Sequence, residues 1–208
     1  MTKPPSLDGA YALQTPTDSV QLYADWAETY DRTFAAASGY QLPQIIADTF
    51  AQLGGNGPVL DVGAGTGLVG AALQAAGIGP IDGVDISAQM LAEAALKDCY
   101  ETLFEGDLTL QLELEDALYA GIISAGTFTH GHIGPDALEE LLRIAKPGAV
   151  FALTINAQHY AEKGFEAKLT SVSSQIEGLT LLETAIYDEQ RMDAHRADKA
   201  LIVTLTKS

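Results

Sequence analysis

Residues 59–70 read "VLDVGAGTGLVG", and this stretch decides the fold. Val59, Leu60 and Val62 around one acid, Asp61, make a short apolar strand that runs straight into Gly63, Gly65 and Gly67. Beyond them "TGLVGAALQAAG" has helical length and stops at Gly77. Gly65-x-Gly67-x-x-Gly70 with Asp85 downstream also has the spacing of a dinucleotide-binding fingerprint, so the question is what the turn holds.

Downstream the chain alternates. "PIDGVDIS" reads as a strand, "AQMLAEAALKD" as a helix capped by Ser87, and "YETLFEGD" and "LYAGIISAGTF" as strands. "GPDALEELLRIAKPG" is a helix and "AVFALTIN" a strand, whereas "LTLQLELED" alternates like a strand where the topology leaves room for a loop. Strands alternating with helices imply a doubly wound α/β fold, a mostly parallel sheet with helices on both faces. The last two strands, "LTLLETAIYDEQR" and "ALIVTLTKS", are joined by too few residues for a crossover helix, so they should form an antiparallel hairpin. A plain dinucleotide-binding domain would continue with further βα units instead.

Upstream, residues 1 to about 18 lack periodicity and read as an arm. "DSVQLYADWAETYDRTF" and "YQLPQIIADTFAQLGG" are amphipathic helices, the first with Asp18 as N-cap. We therefore divide the chain into an arm with helical lid, 1–54, and an α/β unit, 55–208.

Twenty-eight acids against 11 bases give a net charge of −17, a field that repels nucleic acid and anionic lipid. The single cysteine, Cys99, allows no intrachain disulfide and fits a reducing cytoplasm. No apolar run has the length of a signal peptide or a membrane span, so a cytoplasmic protein is expected.

Asp61 separates the readings of the glycine turn. A carboxylate at the end of the first strand would repel a pyrophosphate and welcome a cation. S-adenosylmethionine carries an ammonium and a sulfonium and has no phosphate. In this reading Gly63, Ala64, Gly65, Thr66 and Gly67 let the backbone approach the ligand and present amides to its carboxylate. Asp85 accepts from the ribose hydroxyls, Asp107 of "FEGDL" from the adenine amine, and Ile86, Met90 and Leu108 cover the ring. A structural alternative for Asp107 is that it caps the following turn.

The ordered set "LDVGAGTG", "GVDIS" and "EGDL" resembles the class I S-adenosylmethionine-dependent methyltransferases over residues 55–208. That resemblance implies a seven-stranded Rossmann-like sheet with an antiparallel C-terminal strand. More narrowly, "YADWAETYD" and "ISAGTFTHGHIGPDALEELLRIAKPG" resemble the methyltransferase-like proteins related to the Williams–Beuren syndrome region methyltransferase. Ala120 departs from that pattern, which commonly has an acid there. By the same resemblance the N-terminal tyrosines close over the cofactor, which places Tyr30 on it together with Ser124 of "SAGT".

For the acceptor side, His130 and His132 in "GTFTHGHIG" suit a loop at the site mouth, where a neutral imidazole takes up a proton; they are the candidate catalytic residues with Tyr23. Two histidines without a third ligand make a poor metal site. The expected partner is a small-molecule methyl acceptor. The competing readings are a cofactor-binding regulatory module without catalysis and an NAD-dependent oxidoreductase.

Overall fold

The computed structural model describes residues 5–11, 13, 16–129, 132–188 and 194–208. In chain order the elements are α1 (Leu7–Tyr11), α2 (Pro16–Tyr30) with a π-helical continuation Asp31–Ala36, α3 (Leu42–Gln52), β1 (Val59–Val62) and α4 (Leu68–Ala75). Then come β2 (Ile81–Asp85), α5 (Ala88–Ala95), β3 (Thr102–Glu105), β4 (Tyr119–Phe128), α6 (Ala137–Ile144) and β5 (Ala145–Asn156). The chain closes with α7 (Ala157–Lys163), α8 (Phe165–Ser171), β6 (Ile176–Ala185) and β7 (Lys199–Lys207).

The seven strands form one sheet in the order β3-β2-β1-β4-β5-β7-β6. The pairs β1–β2, β1–β4, β2–β3 and β4–β5 are parallel, and β7 is antiparallel to both β5 and β6, the latter as the short connection between the last two strands requires. The order reverses between β1 and β4, so the crevice at their carboxyl ends is where a doubly wound sheet accepts a ligand.

β1 is buried at every position, which explains its unbroken apolar run, and Asp61 is the one charge within it. On one face β1 and β4 pack with α6, whose Leu138, Leu141 and Leu142 point inward. The 107–117 stretch is irregular, as expected. Its Leu108 and Leu112 are buried, while the Arg143 guanidinium donates to the Leu112 and Leu114 carbonyls at 3.2 and 2.9 Å, supplying partners that a strand neighbour would otherwise provide.

Three local expectations are corrected. α2 begins at Pro16, so Asp18 lies in its first turn instead of capping it; Pro suits that position because the first N–H has no helical partner. β5 begins at Ala145, directly after α6, because Ala145 already pairs with Tyr119. And α3, grouped with the arm and lid above, is part of the sheet's helical layer. Its Ile46, Ala47 and Phe50 are fully buried against Val59, Leu73, Ile123 and Ala152, an apolar face too broad for a cover that opens to water.

Candidate active site

A cavity opens at the carboxyl ends of β1, β2 and β4, about 940 Å³ when the solvent at its mouth is counted. Gly63, Ala64, Gly65 and Thr66 form its floor, Asp85, Ile86, Met90 and Leu108 one wall, and Tyr23, Tyr30 and His132 its cover. The glycine turn is held by the sheet: the Gly63 and Ala64 N–H groups both donate to the Val84 carbonyl, at 2.8 and 2.9 Å. Gly65 has a left-handed φ of +54°, and a Cβ there would meet nothing nearer than the Gly63 carbonyl at 3.9 Å, so the turn leaves open space above itself.

Asp85 is fastened to this turn. One carboxylate oxygen accepts from the Gly65 N–H at 2.8 Å and the other from the Ser87 N–H at 2.9 Å. Burial raises its pKa and these backbone donors oppose the rise. Ser87 also caps α5, accepting from the Met90 N–H at 3.3 Å, which fixes Met90 on the cavity wall beside Asp85.

Four residues expected on the cofactor stand off this wall. Asp61 points beneath the turn, fully buried, and its Oδ2 accepts from the Tyr100 hydroxyl at 2.7 Å. That hydroxyl in turn accepts from the Gly70 N–H at 3.2 Å. Gly67 caps α4 in a left-handed conformation with its back to Tyr100 and Ala94. Ser124 is fully buried and donates to the Val62 carbonyl at 2.6 Å, tying β4 to β1. Asp107 accepts from the Thr109 N–H and hydroxyl at 2.8 and 2.7 Å, the turn-capping alternative named above, while Gly106 and Leu108 on either side of it line the cavity.

Of the residues expected on the acceptor side, His130 lies outside the described residues. His132 lines the cavity, its ring centroid 5.5 Å from that of Tyr23. The Tyr23 and Tyr30 phenols are held protonated by burial, with Asp85 adding to the effect at Tyr23. α2 packs on α5, and Asp31 just beyond it accepts from the Thr66 hydroxyl at 2.5 Å and from Lys97 Nζ at 2.7 Å. Lys97 donates also to the Thr66 carbonyl, so the N-terminal helices are latched to the glycine turn itself. Sequence reasoning missed Asp31, Lys97, Tyr40, Tyr100 and Thr127. Only Asp31, at the end of "YADWAETYD", and Thr127, within "GTFTHGHIG", stand in stretches that carried a signal.

The residues present suit S-adenosylmethionine better than a dinucleotide. No Lys or Arg lines the cavity among the described residues, so a pyrophosphate would meet Asp85 without a counter-charge, whereas a sulfonium would be attracted. Ile86, Met90 and Leu108 offer apolar surface for a flat ring.

The sheet order, with its antiparallel end and glycine cavity, is the fold of solved Rossmann-like methyltransferases. Residues 59–148 match the family described as "Methyltransferase domain". The human methyltransferase-like protein 27 is 30% identical over 150 residues, 70% of this chain, and the chain spans 60% of that protein's length. Among solved structures, a TehB-like SAM-dependent methyltransferase from Corynebacterium glutamicum superposes with a TM-score of 0.63 at 21% identity, covering 89% of this chain and 98% of that one. A DhpI–SAH complex superposes with a TM-score of 0.64 at 18% identity, covering 98% and 99%. The methyltransferase domain and these neighbours support S-adenosylmethionine as the cofactor. Among the described residues no helix is long and apolar enough to cross a membrane.

Proposed function

We propose that the protein is a cytoplasmic S-adenosylmethionine-dependent methyltransferase acting at N, O or C of a small-molecule acceptor. The observation that carries this reading is Asp85, fastened to the Gly65 N–H and lining a cavity roofed by Tyr23 and Tyr30. The narrower resemblance to the Williams–Beuren-related proteins rests on the "YADWAETYD" and "ISAGTFTHGHIGPDALEELLRIAKPG" stretches.

Asp85 takes the ribose hydroxyls, the backbone from Gly63 to Thr66 the methionyl end, and Ile86, Met90 and Leu108 the adenine faces. Asp107 reaches the adenine amine with whatever capacity Thr109 leaves it. When bound, S-adenosylmethionine supplies a methyl group on a positively charged sulfur. The chain's own contribution is positioning and the exclusion of water. α2 and its continuation act as a lid that shields the crevice, latched through Asp31. Tyr23 is a wall and hydrogen-bond donor rather than a base, because burial keeps its phenol protonated. His132, and His130 with it, take up the proton an acceptor releases.

Parallel calorimetric titrations with S-adenosylmethionine, S-adenosylhomocysteine and NAD test the reading. Binding of the first two and silence with NAD is expected. Binding of NAD alone would overturn it, and cofactor binding without turnover on any small acceptor would favour a regulatory module.

A further inference from the structure

A second compartment, about 490 Å³ when the open solvent at its mouth is counted, adjoins the first and shares Tyr23, Tyr30, Tyr40, Gly126 and His132 with it. Its chemistry is different. Rings from three separate parts of the chain enclose it: Tyr30 and Phe34 with centroids 4.9 Å apart, Tyr40 at 5.3 Å from Phe34, and Tyr187 edge-on at 6.2 Å from Phe34. Trp26 is buried behind them, 5.3 Å from Tyr30 and 5.4 Å from Phe34, its indole N–H donating to the Thr33 hydroxyl at 3.1 Å. Thr129 and Thr154 also line it, the Thr154 hydroxyl accepting from the Gly126 N–H at 2.9 Å. Among the described lining residues there is no Lys, Arg, Asp or Glu.

We infer that this compartment is the acceptor subsite and that it selects amines over carboxylate- or phosphate-bearing acceptors, through an aromatic wall without lysine or arginine. The inference rests on the methyltransferase reading above and names the substrate class of that site.

An anionic acceptor would lose its water here without a counter-charge, beside Asp85 and against a net charge of −17. A cation gains from the ring quadrupoles, and more so when desolvated. Methylation of a neutral amine creates positive charge on nitrogen as the reaction proceeds, so the wall stabilises the transition state more than the ground state. The nitrogen lone pair forms the new N–C bond as the methyl–sulfur bond breaks, and that bond's electron pair stays on sulfur, which leaves as a neutral thioether. The ammonium formed from a primary or secondary amine then sheds its proton to His132 or to water. A phenol or alcohol acceptor would fit the volume, but its product is neutral and draws nothing further from the rings. Thr129 and Thr154 offer hydroxyl oxygens to the amine N–H groups.

Trp26, the single tryptophan of the chain, supplies a readout independent of turnover. With S-adenosylhomocysteine present, its fluorescence is titrated with choline, with the isosteric neutral 3,3-dimethylbutan-1-ol, and with 3,3-dimethylbutanoate. Choline is expected to bind at least about tenfold more tightly than the alcohol, with no binding of the carboxylate. Tyr40→Phe, which keeps the ring, should retain this preference and Tyr40→Leu should lose it; the probe comparison itself needs only the wild-type protein. Turnover should follow the same order, with 2-phenylethylamine methylated and 3-phenylpropanoate refused. Equal binding of choline and the alcohol, or binding of the carboxylate, overturns the inference. Calorimetry with S-adenosylhomocysteine alone keeps the two levels apart. Absence of binding there sinks the methyltransferase reading, whereas binding without a cation preference sinks only the amine subsite.

Discussion

Asp61→Asn should flatten a part of the pH dependence of stability that the wild-type protein shows near neutrality. Asp61 is fully exposed to no solvent at all, its Oδ2 is bonded to Tyr100 at 2.7 Å, and its Oδ1 has no hydrogen-bond partner. Burial, the largest influence, outweighs the Tyr100 bond, and with Asp85 nearby it lifts the carboxyl from 3.8 to about 7. The folded state therefore holds a proton that the unfolded chain has already released. This stabilisation is complete below the unfolded pKa and is lost as pH rises through the folded one, amounting to about 4 kcal/mol over the whole interval. Work near the isoelectric point of about 4.3 invites precipitation, so the usable window is pH 5.5 to 8.5. Within it the folded carboxyl passes from mostly protonated to ionised while the unfolded one stays ionised, a loss of about 2 kcal/mol. Asn keeps the volume and a carbonyl for Tyr100 but cannot titrate. Urea unfolding of both proteins at pH 5.5, 7 and 8.5 gives a difference curve from which the other carboxylates largely cancel. The wild type should lose about 2 kcal/mol relative to Asp61→Asn between the ends of the window. Parallel curves, or a wild type that gains on the variant as pH rises, would refute the argument that this carboxyl is buried and poorly solvated.

Asp85→Ala should cost cofactor affinity about 2–4 kcal/mol, since two charge-assisted bonds to ribose are lost in a partly desolvated site; unchanged affinity in calorimetry would mean that the site is misplaced. Gly63→Ala forces a Cβ into the Thr127 side chain at a φ of +72°. The left-handed conformation alone costs about 1–2 kcal/mol and the overlap about 1–3 more, so a melting temperature equal to wild type would contradict the turn geometry. Lys97→Met removes a 2.7 Å ion pair whose partners are 23% and 37% exposed, so solvent screening keeps the stability loss below about 1 kcal/mol. Release of S-adenosylhomocysteine, followed by stopped flow, should nonetheless quicken because Asp31 loses half of its latch; an unaltered rate would separate the latch from the ligand. His132→Ala should leave S-adenosylhomocysteine affinity within about twofold and slow transfer, and a binding defect equal to that of Asp85→Ala would place the ring on the cofactor instead.

What could be read from the chain was whatever periodicity and short spacing encode. The buried run of β1, the left-handed turn after it, the Ser87 cap and the closing hairpin all follow from residues within about thirty positions of one another, and those elements build the sheet end where the cavity opens. Side-chain direction was the harder matter. Val62 and Asp61 are adjacent in a strand buried on both faces, so alternation could not say that Asp61 turns toward Tyr100 and does not line the cavity. Asp107 had two physically sound roles, and the nearby Thr109 decides which one its Oδ1 serves. The aromatic compartment was less visible still. Tyr40 and Tyr187 meet through an isolated antiparallel bridge between segments far apart in the chain, and neither stands in a pattern that betrays the other. The cofactor end is made of local backbone geometry, which a motif can carry. The aromatic compartment proposed for the acceptor is made of side chains from α2, the residue-40 turn and the approach to β7, which only the closed sheet brings together; that is why the donor was legible before any acceptor.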